Sequence, residues 1–493
     1  MFGWLKNIRD EQRERRRLRM VHVPMRVRGR YDAAVTTDEN RRHWANADLL
    51  SADAAANPRI RSVLRSRARY EVANNSYARG IVSTLANDCI GTGPRLQMLT
   101  DDGEANRVVE QEFMRWADSV SLAEKLRTMR MARAESGEVF GMLVANPRVD
   151  SPVKLDLRLI EADQVTTPDL LHLSARRANV VDGIVFDQYG NPTEYHVLKS
   201  HPGDSAARFS MDYARVPAAS MIHYFRVDRP GQSRGIPEIT PALPLFAQLR
   251  RYTLAVLAAA ETAADFAAVL YTDAPANGEA ESVEPMDLVE LERRMATVLP
   301  GGWRLGQIQA EQPATTYGEF KKELLNEIAR CLSIPYNVAA CNSSGYNYAS
   351  GRLDHQTYYK SIRVDQAQLG LCVLDRVLRA WLDEAILVSK LLPLWLRTAA
   401  FRDLPHQFFW DGMEHVDPAK EAGAQATRLA SHTTTLAYEY ARQGRDWESE
   451  LRQRAKEVSL LRELGLDTTQ PATSQPQDDT ADKEDEEEES YAN

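Results

Sequence analysis

Gly231-Gln232-Ser233-Arg234-Gly235 is the stretch of this 493-residue chain whose spacing comes nearest to a catalytic motif. It fits Gly-x-Ser-x-Gly, in which a serine is exposed on a sharp turn from strand to helix. A strand expected at Met221–Phe225 precedes it and a long helix follows. Pro230 at the entry, and Pro237, Pro241 and Pro244 before the helix, oppose the elbow geometry. There is no HGGG-type oxyanion segment, and the flanking sheet does not read as buried parallel strands. We read the motif as a glycine-supported turn and keep a hydrolase using Ser233 as the alternative. The 10 histidines are scattered; His223 alternates with apolar neighbours and reads as a packed core histidine. Asp354-His355 falls at an expected helix start, where Asp354 would favour the helix dipole. Asp287, Glu290 and Glu292 read as a solvated acidic face. Cys331 and Cys341 read as buried small residues. The 4 cysteines form no Cys-x-x-Cys pair, so neither zinc nor a disulfide framework is expected and a reducing compartment fits. Without a phosphate-binding GxxxxGK[ST] loop or an HExxH pair, we expect no catalytic residue, no metal and no cofactor.

The charge is unevenly spread. Met1–Arg30 carries a net +7, Asp478–Glu489 a net −8, and taking both from the total of −9 leaves the body at −8. A sequence-reading nucleic-acid binder usually has a basic folded domain; this body would enclose DNA rather than grip it. The arm, with Arg13, Arg15, Arg16, Arg17 and Arg19, is either a solvated, partly helical segment or a contact for nucleic acid or an acidic partner. Its order, apolar patch then basic run, is the reverse of a signal peptide, which argues against secretion. No stretch approaches the ~18 apolar residues of a membrane span.

Helical spacing of apolar residues predicts helices from about 40 to 91, broken at Asn74-Asn75-Ser76, which can cap a second helix at Tyr77–Asp88. A strand Arg95–Leu99 and a helix Asn106–Asp118 follow. Val139–Val144, Leu155–Ile160, Val180–Phe186, Tyr195–Leu198 and Met221–Phe225 read as antiparallel strands, with a hairpin turn at Gly190-Asn191-Pro192. Leu243–Tyr271 reads as one long alanine-rich helix whose small residues permit close helix–helix approach. A helix Pro285–Leu299, a strand Trp303–Ile308 and helices Tyr317–Leu332 and Leu353–Lys390 come next, the last two separated by the polar segment Asn342–Ser350. Asp417-Pro418 and Asp446 signal the starts of closing helices. The composition from Thr468 onward cannot form a core.

Blocks in a fixed order now resemble one family. They are Arg65–Asn75, Asn87–Gln97, Glu135–Phe140, Leu159–Asp163, Gly183–Asp187 with Gly190-Asn191-Pro192, Arg229–Pro237, Tyr346–Arg352 and Val416–Glu421. Each is weak alone; together, from about Asn40 to Leu466, the chain resembles the lambda-type portal proteins of tailed bacteriophages. The resemblance implies an α+β, mainly helical portal fold, and no enzyme. It implies a basic arm at 1–40, a mixed α/β wing at 41–242, stem helices at 243–271 and 317–334, and a clip region at 272–316 between them. A tunnel-loop region at 335–352, a long helix returning through the wing at 353–412, a helical crown at 413–467 and a disordered acidic tail at 468–493 complete it. It also implies a ring, as a rule a dodecamer, at one capsid vertex of the virion after assembly in the host cytoplasm. Double-stranded DNA would pass through without sequence preference. Terminase large subunit, head–tail adaptor and capsid or scaffold protein would dock, and no membrane is involved.

On this resemblance Asn342, Ser343, Ser344, Tyr346, Asn347, Tyr348 and Ser350 would line the channel, and Ala260, Ala263, Ala264 and Ala267 would face a neighbouring copy. The polar segment also reads as an ordinary surface turn, since Asn, Ser and Gly favour turns anywhere. A structural ring or scaffold unrelated to packaging is the remaining alternative.

Overall fold

A computed structural model describes residues 32–167, 179–204, 212–265, 269–272, 303–306, 316–412 and 418–466. The chain divides into two compact units, Met1–Ala55 and Ala56–Asn493. In the described part of the first, a 3-10 turn at Asp32–Ala34 and one helical turn at Ala52–Ala55 flank loops that leave Val35, Trp44, Leu49 and Leu50 exposed.

The second unit begins with paired helices α1 (Pro58–Asn74) and α2 (Ser76–Ile90). Asn57 caps α1, with proline in its first turn. Asn75 closes α1 by donating its N–H to Glu71 and opens α2 by accepting from Tyr77 and Ala78. Gly91, at φ 58°, ends α2 and turns the chain into β1 (Arg95–Met98). Asp102 caps α3 (Gly103–Ser119), which buries Val109, Phe113 and Trp116 on one face. α4 (Leu122–Ser136) ends at Gly137, φ 88°.

Two antiparallel sheets follow. β2 (Glu138–Ala145) lies between β3 (Leu155–Glu161) and β8 (Met221–Phe225). The second sheet runs β4 (Val180–Val181), β5 (Ile184–Phe186), β6 (Pro192–Leu198) and β7 (Tyr213–Pro217). A small core of Phe140, Ile160, Val165, Ile184, Tyr195, Val197, Val216 and Met221 joins them. Val180–Phe186 is thus two strands, not the one expected. Asp182-Gly183, both at positive φ, form a two-residue hairpin turn, and Asp-Gly is the sequence signal for that turn. Pro192 pairs with Phe186 as a strand residue rather than a turn residue.

α5 covers Leu243–Asp265, shorter than expected, because Val269–Thr272 is a strand, β9, paired with β10 (Trp303–Gly306). The helix expected at Pro285–Leu299, with Asp287, Glu290 and Glu292, lies outside the described residues. α6 (Tyr317–Arg330) and the short α7 (Tyr336–Ala339) lead to α8 (Tyr348–Leu369), a π turn at Gly370–Leu374 and α9 (Asp375–Ala385). The helix expected at Leu353–Lys390 therefore starts five residues earlier. Asp354 then lies past the first turn, too far along for a helix-dipole role. β11 (His406–Phe409) returns to pair with β1. α10 (Pro418–Ala430), α11 (Leu436–Arg442) and α12 (Trp447–Glu463, capped by Asp446) close the described chain. The main core runs from α1 through α4, β2, β3 and β8 to α9, with Phe113 edge-on to Trp381 at 5.3 Å.

Candidate functional site: an uncharged loop on a buried ionic frame

The Gly231–Gly235 stretch is a structural turn. Gly231 takes φ 76°, and the Gln232 amide oxygen accepts from the backbone N–H groups of Asp228 and Arg229 at 2.9 and 3.2 Å. No helix starts at Ser233; a 3-10 turn at Thr240–Ala242 intervenes before α5. The residue the turn delivers inward is Arg234, not the serine. Its guanidinium is fully buried, 2.7 Å from Glu138 and 3.1 Å from Asp182, and donates to the carbonyls of Ala162 and Val165. Gly235 donates its N–H to Glu138, and a Cβ there would collide with the Gly137 carbonyl.

Around this pair the dispersed sequence blocks converge. Arg65 and Arg69 of α1 bind Asp163 at 3.0 and 2.9 Å, and Arg61 pairs with Asp182. Arg130 and Arg133 of α4 share Glu238, at 2.8 Å each, and Asp365 of α8, at 2.8 and 2.6 Å. His223, stacked between Phe140 and Phe225, sits 2.9 Å from Glu138, so the expectation of a packed core histidine holds. Burial alone would push the Glu138 carboxyl up, but Arg234 and His223 outweigh it and hold the group below the usual carboxylate range. Burial likewise opposes Glu238, and Arg130 and Arg133 bring it down to about 2. Burial lowers His223 against the pull of Glu138 and favours its neutral form.

One cluster escaped the sequence reading: Glu161, Asp163 and His201 offer ligand atoms within 4.8 Å of one another. Arg69 already binds both carboxylates, at 3.1 and 2.9 Å, and Arg65 binds Asp163. A cation there would have to displace two guanidinium groups. The histidine, forty residues away in sequence, gave no spacing signal.

The polar segment stands on this frame through α8. Tyr358 donates to Asp88 of α2 at 2.7 Å, and Gln366 donates to the Cys89 carbonyl at 3.0 Å. Asn342, Ser343, Ser344 and Asn347 are exposed and Tyr346 is half-buried. Asn342 Oδ1 accepts from the Ser344 N–H and hydroxyl at 2.9 and 2.6 Å, and Gly345 turns the chain at φ 83°. Asn347 and Ser350 form a reciprocal capping box, so Tyr348 and Ser350 belong to the first turn of α8 rather than to the loop. The Tyr348 side chain lies outside the described residues. Cys341, at φ 48°, is exposed and not the buried cysteine expected, because it sits on the turn leaving α7; Cys331 is half-buried.

Of the small residues expected to face a neighbour, Ala260 is half-buried on the side of α5 that carries Leu249 and Val256. Ala263 and Ala264 lie in the helix, but their side chains, like the whole of Ala267, fall outside the described residues. α5 packs on α6 through Tyr252, whose ring centre lies 4.9 Å from that of Phe320 and 5.5 Å from that of Tyr317.

Fold and site together define a helix-rich α+β protein whose one motif of catalytic type is spent on structure. The phage portal protein model of the lambda family matches residues 38–366, and the chain belongs to that family. Its function is that of a portal, a ring-forming structural protein of the virion. A protein of Halomonas phage phiHAP-1, described as a probable portal protein, is 27% identical over 432 residues, covering 82% of this chain and 81% of its own. A chain from the virion of a native gene transfer agent particle covers 77% of this chain and 92% of its own, at 13% identity and TM-score 0.41. A chain from the neck of the native particle, computed with C12 symmetry, covers 79% and 94%, at 15% identity and TM-score 0.42.

Proposed function

We propose that this portal is a homododecameric conduit for packaging and ejecting double-stranded DNA, and that the turn Asn342–Asn347 lines its bore. Residues 41–242 form the wing, α5 and α6 the stem, 272–316 the clip, and the helices within 413–467 the crown. Terminase and then the head–tail adaptor dock at the clip, and capsid or scaffold protein contacts the wing. The carrying observation is the turn itself. Six consecutive residues are uncharged, five of them are exposed, and the turn is braced at both ends, by α7 and by the capped start of α8. A conduit must not bind its cargo tightly, because each phosphate neutralised adds affinity. Hydroxyl and amide groups exchange bonds with water and phosphate at little net cost, whereas lysines would hold the duplex.

Ser343 is the residue to test, since the helix cap uses Asn347 and Ser350. Ser343→Lys should leave rings intact, slow packaging at low salt and recover as salt rises; Ser343→Ala should package normally. Each added phosphate contact steepens the log–log salt dependence by about 0.9. Packaging by Ser343→Lys rings at the wild-type rate across all salt concentrations would remove the turn from the channel wall.

A further inference from the structure

Both ends of the turn Asn342–Asn347 converge on one buried residue, Asn337 of α7, which is 8% exposed. Its carbonyl accepts from the Asn342 N–H at 3.0 Å, where the turn begins. Its own backbone N–H bonds the Tyr346 hydroxyl near the other end. The side-chain amide points the opposite way, to α8. Oδ1 accepts from the Val338 N–H at 3.0 Å, which leaves Nδ2 facing His355 Nε2 at 2.9 Å. An amide NH2 can only donate, so Nε2 is the acceptor and the neutral imidazole carries its proton on Nδ1, 3.4 Å from the Tyr359 hydroxyl. Among the described residues this is the one side-chain hydrogen bond between α7 and α8.

The two helices are not held alike. α8 is fixed by directional bonds: Tyr358 to Asp88, Gln366 to the Cys89 carbonyl, and Asp365 to Arg130 and Arg133. α7 is one helical turn, and Tyr336, Val338 and Ala339 pack it on the main core through apolar contact. Such contact is non-directional and leaves the helix free to slide by small amounts. The amide–imidazole bond is what ties it to the fixed element.

We propose that Asn337 and His355 are positioning residues for the channel, and that the bond between them sets where the turn Asn342–Asn347 stands. The inference rests on the reading of that turn as bore wall and names what holds the wall in place. Without the bond, a buried amide loses its acceptor, and α7 with its turn shifts against a fixed α8. What the brace asks of position 355 is an acceptor at the end of a planar polar side chain. Glutamine offers one through its amide oxygen, and alanine does not.

The test uses rings of the full chain and reads the turn and the conduit separately. Hydrogen exchange in peptides covering 340–347 reads the turn; DNA packaging reads the conduit. His355→Ala and Asn337→Ala should each speed that exchange by on the order of tenfold and slow packaging, since each breaks the same buried bond. Because the two side chains act as a pair, the double variant should also show about tenfold, not the roughly hundredfold of independent sites. His355→Gln should return most of the wild-type exchange and packaging, a rescue that lost packing volume alone would not predict. Wild-type exchange in His355→Ala, singles whose effects multiply in the double variant, or His355→Gln no better than His355→Ala would each overturn the brace. Faster exchange in the alanine variants with packaging unchanged would uphold the bond but overturn its role in the channel, and with it the reading of the turn as bore wall.

Discussion

Replacing Arg234 by methionine should cost this fold more stability than any exposed substitution, because it strands a carboxylate. Arg234 and Glu138 are both wholly buried and 2.7 Å apart, with Asp182 3.1 Å from the same guanidinium. After the change, Glu138 keeps His223 at 2.9 Å and the Gly235 N–H at 2.9 Å, but its nearest cation is Arg65, at 3.6 Å. Breaking a buried pair from one side typically costs about 3–5 kcal/mol, most of it the uncompensated charge. Urea unfolding of the full chain, compared between wild type and variant, measures it. Adding Glu138→Gln should recover part of the loss, so the double variant is less destabilised than the sum of the singles by about 1–3 kcal/mol. The pH dependence has a definite sign. In wild type the Glu138 carboxyl titrates below the usual range, so its contribution is fully present above the unfolded value and flat between pH 5 and 8. Without Arg234, burial dominates and the carboxyl titrates above the unfolded value, so lowering the pH protonates it and relieves the penalty. The deficit of the variant should therefore be larger at pH 8 than at pH 5. A loss under about 1 kcal/mol, additive singles, or a deficit that grows on acidification would refute the reasoning.

Gly235→Ala should destabilise by about 1–3 kcal/mol or more, measured by the same unfolding, because its Cβ would overlap the Gly137 carbonyl. Asn347→Ala should lose about 1 kcal/mol of helix capping, and hydrogen exchange should show the first turn of α8 opening more readily. Among the cysteines, iodoacetamide should modify Cys341 first, since it is exposed, whereas burial pushes Cys89 up to about 12 and Cys331 to about 11; peptide mapping reads the order. Glu110 sits where β1 meets the start of α12. Burial, with Asp446 and Glu448 adding to it against the Met98 N–H, raises its carboxyl to about 7. Native protein then holds a proton that the unfolded chain has released, so stability should fall as pH rises from about 4.5 to 7 and level off above. Glu110→Gln should flatten that slope.

Most helices of the second unit were legible because their signals are local, although α4 (Leu122–Ser136) was not among those expected. Asn75 and Asp446 act on backbone groups within a turn of themselves, and apolar spacing on α3 or α6 repeats over a few residues. The misreadings arose where a local signal was passed over or a distant strand decided the outcome. Asp182-Gly183 was such a signal. Val269–Thr272 reads as a helix continuation in an alanine-rich run, yet it pairs with Trp303–Gly306 some thirty residues on.

The family was legible from blocks in order, but what the blocks build was not. Arg65, Glu138, Asp163, Asp182 and Arg234 come from five separate segments and meet in one buried frame. Each is an ordinary charged residue in the sequence, and nothing in spacing reveals that Arg234 rather than Ser233 points inward. Burial and charge pairing are properties of packed neighbours, so only the tertiary structure could turn a motif of catalytic type into a structural one. Composition alone determined that the turn Asn342–Asn347 is uncharged. That it stands exposed, with its last residue capping a helix pinned to α2, was decided by the fold.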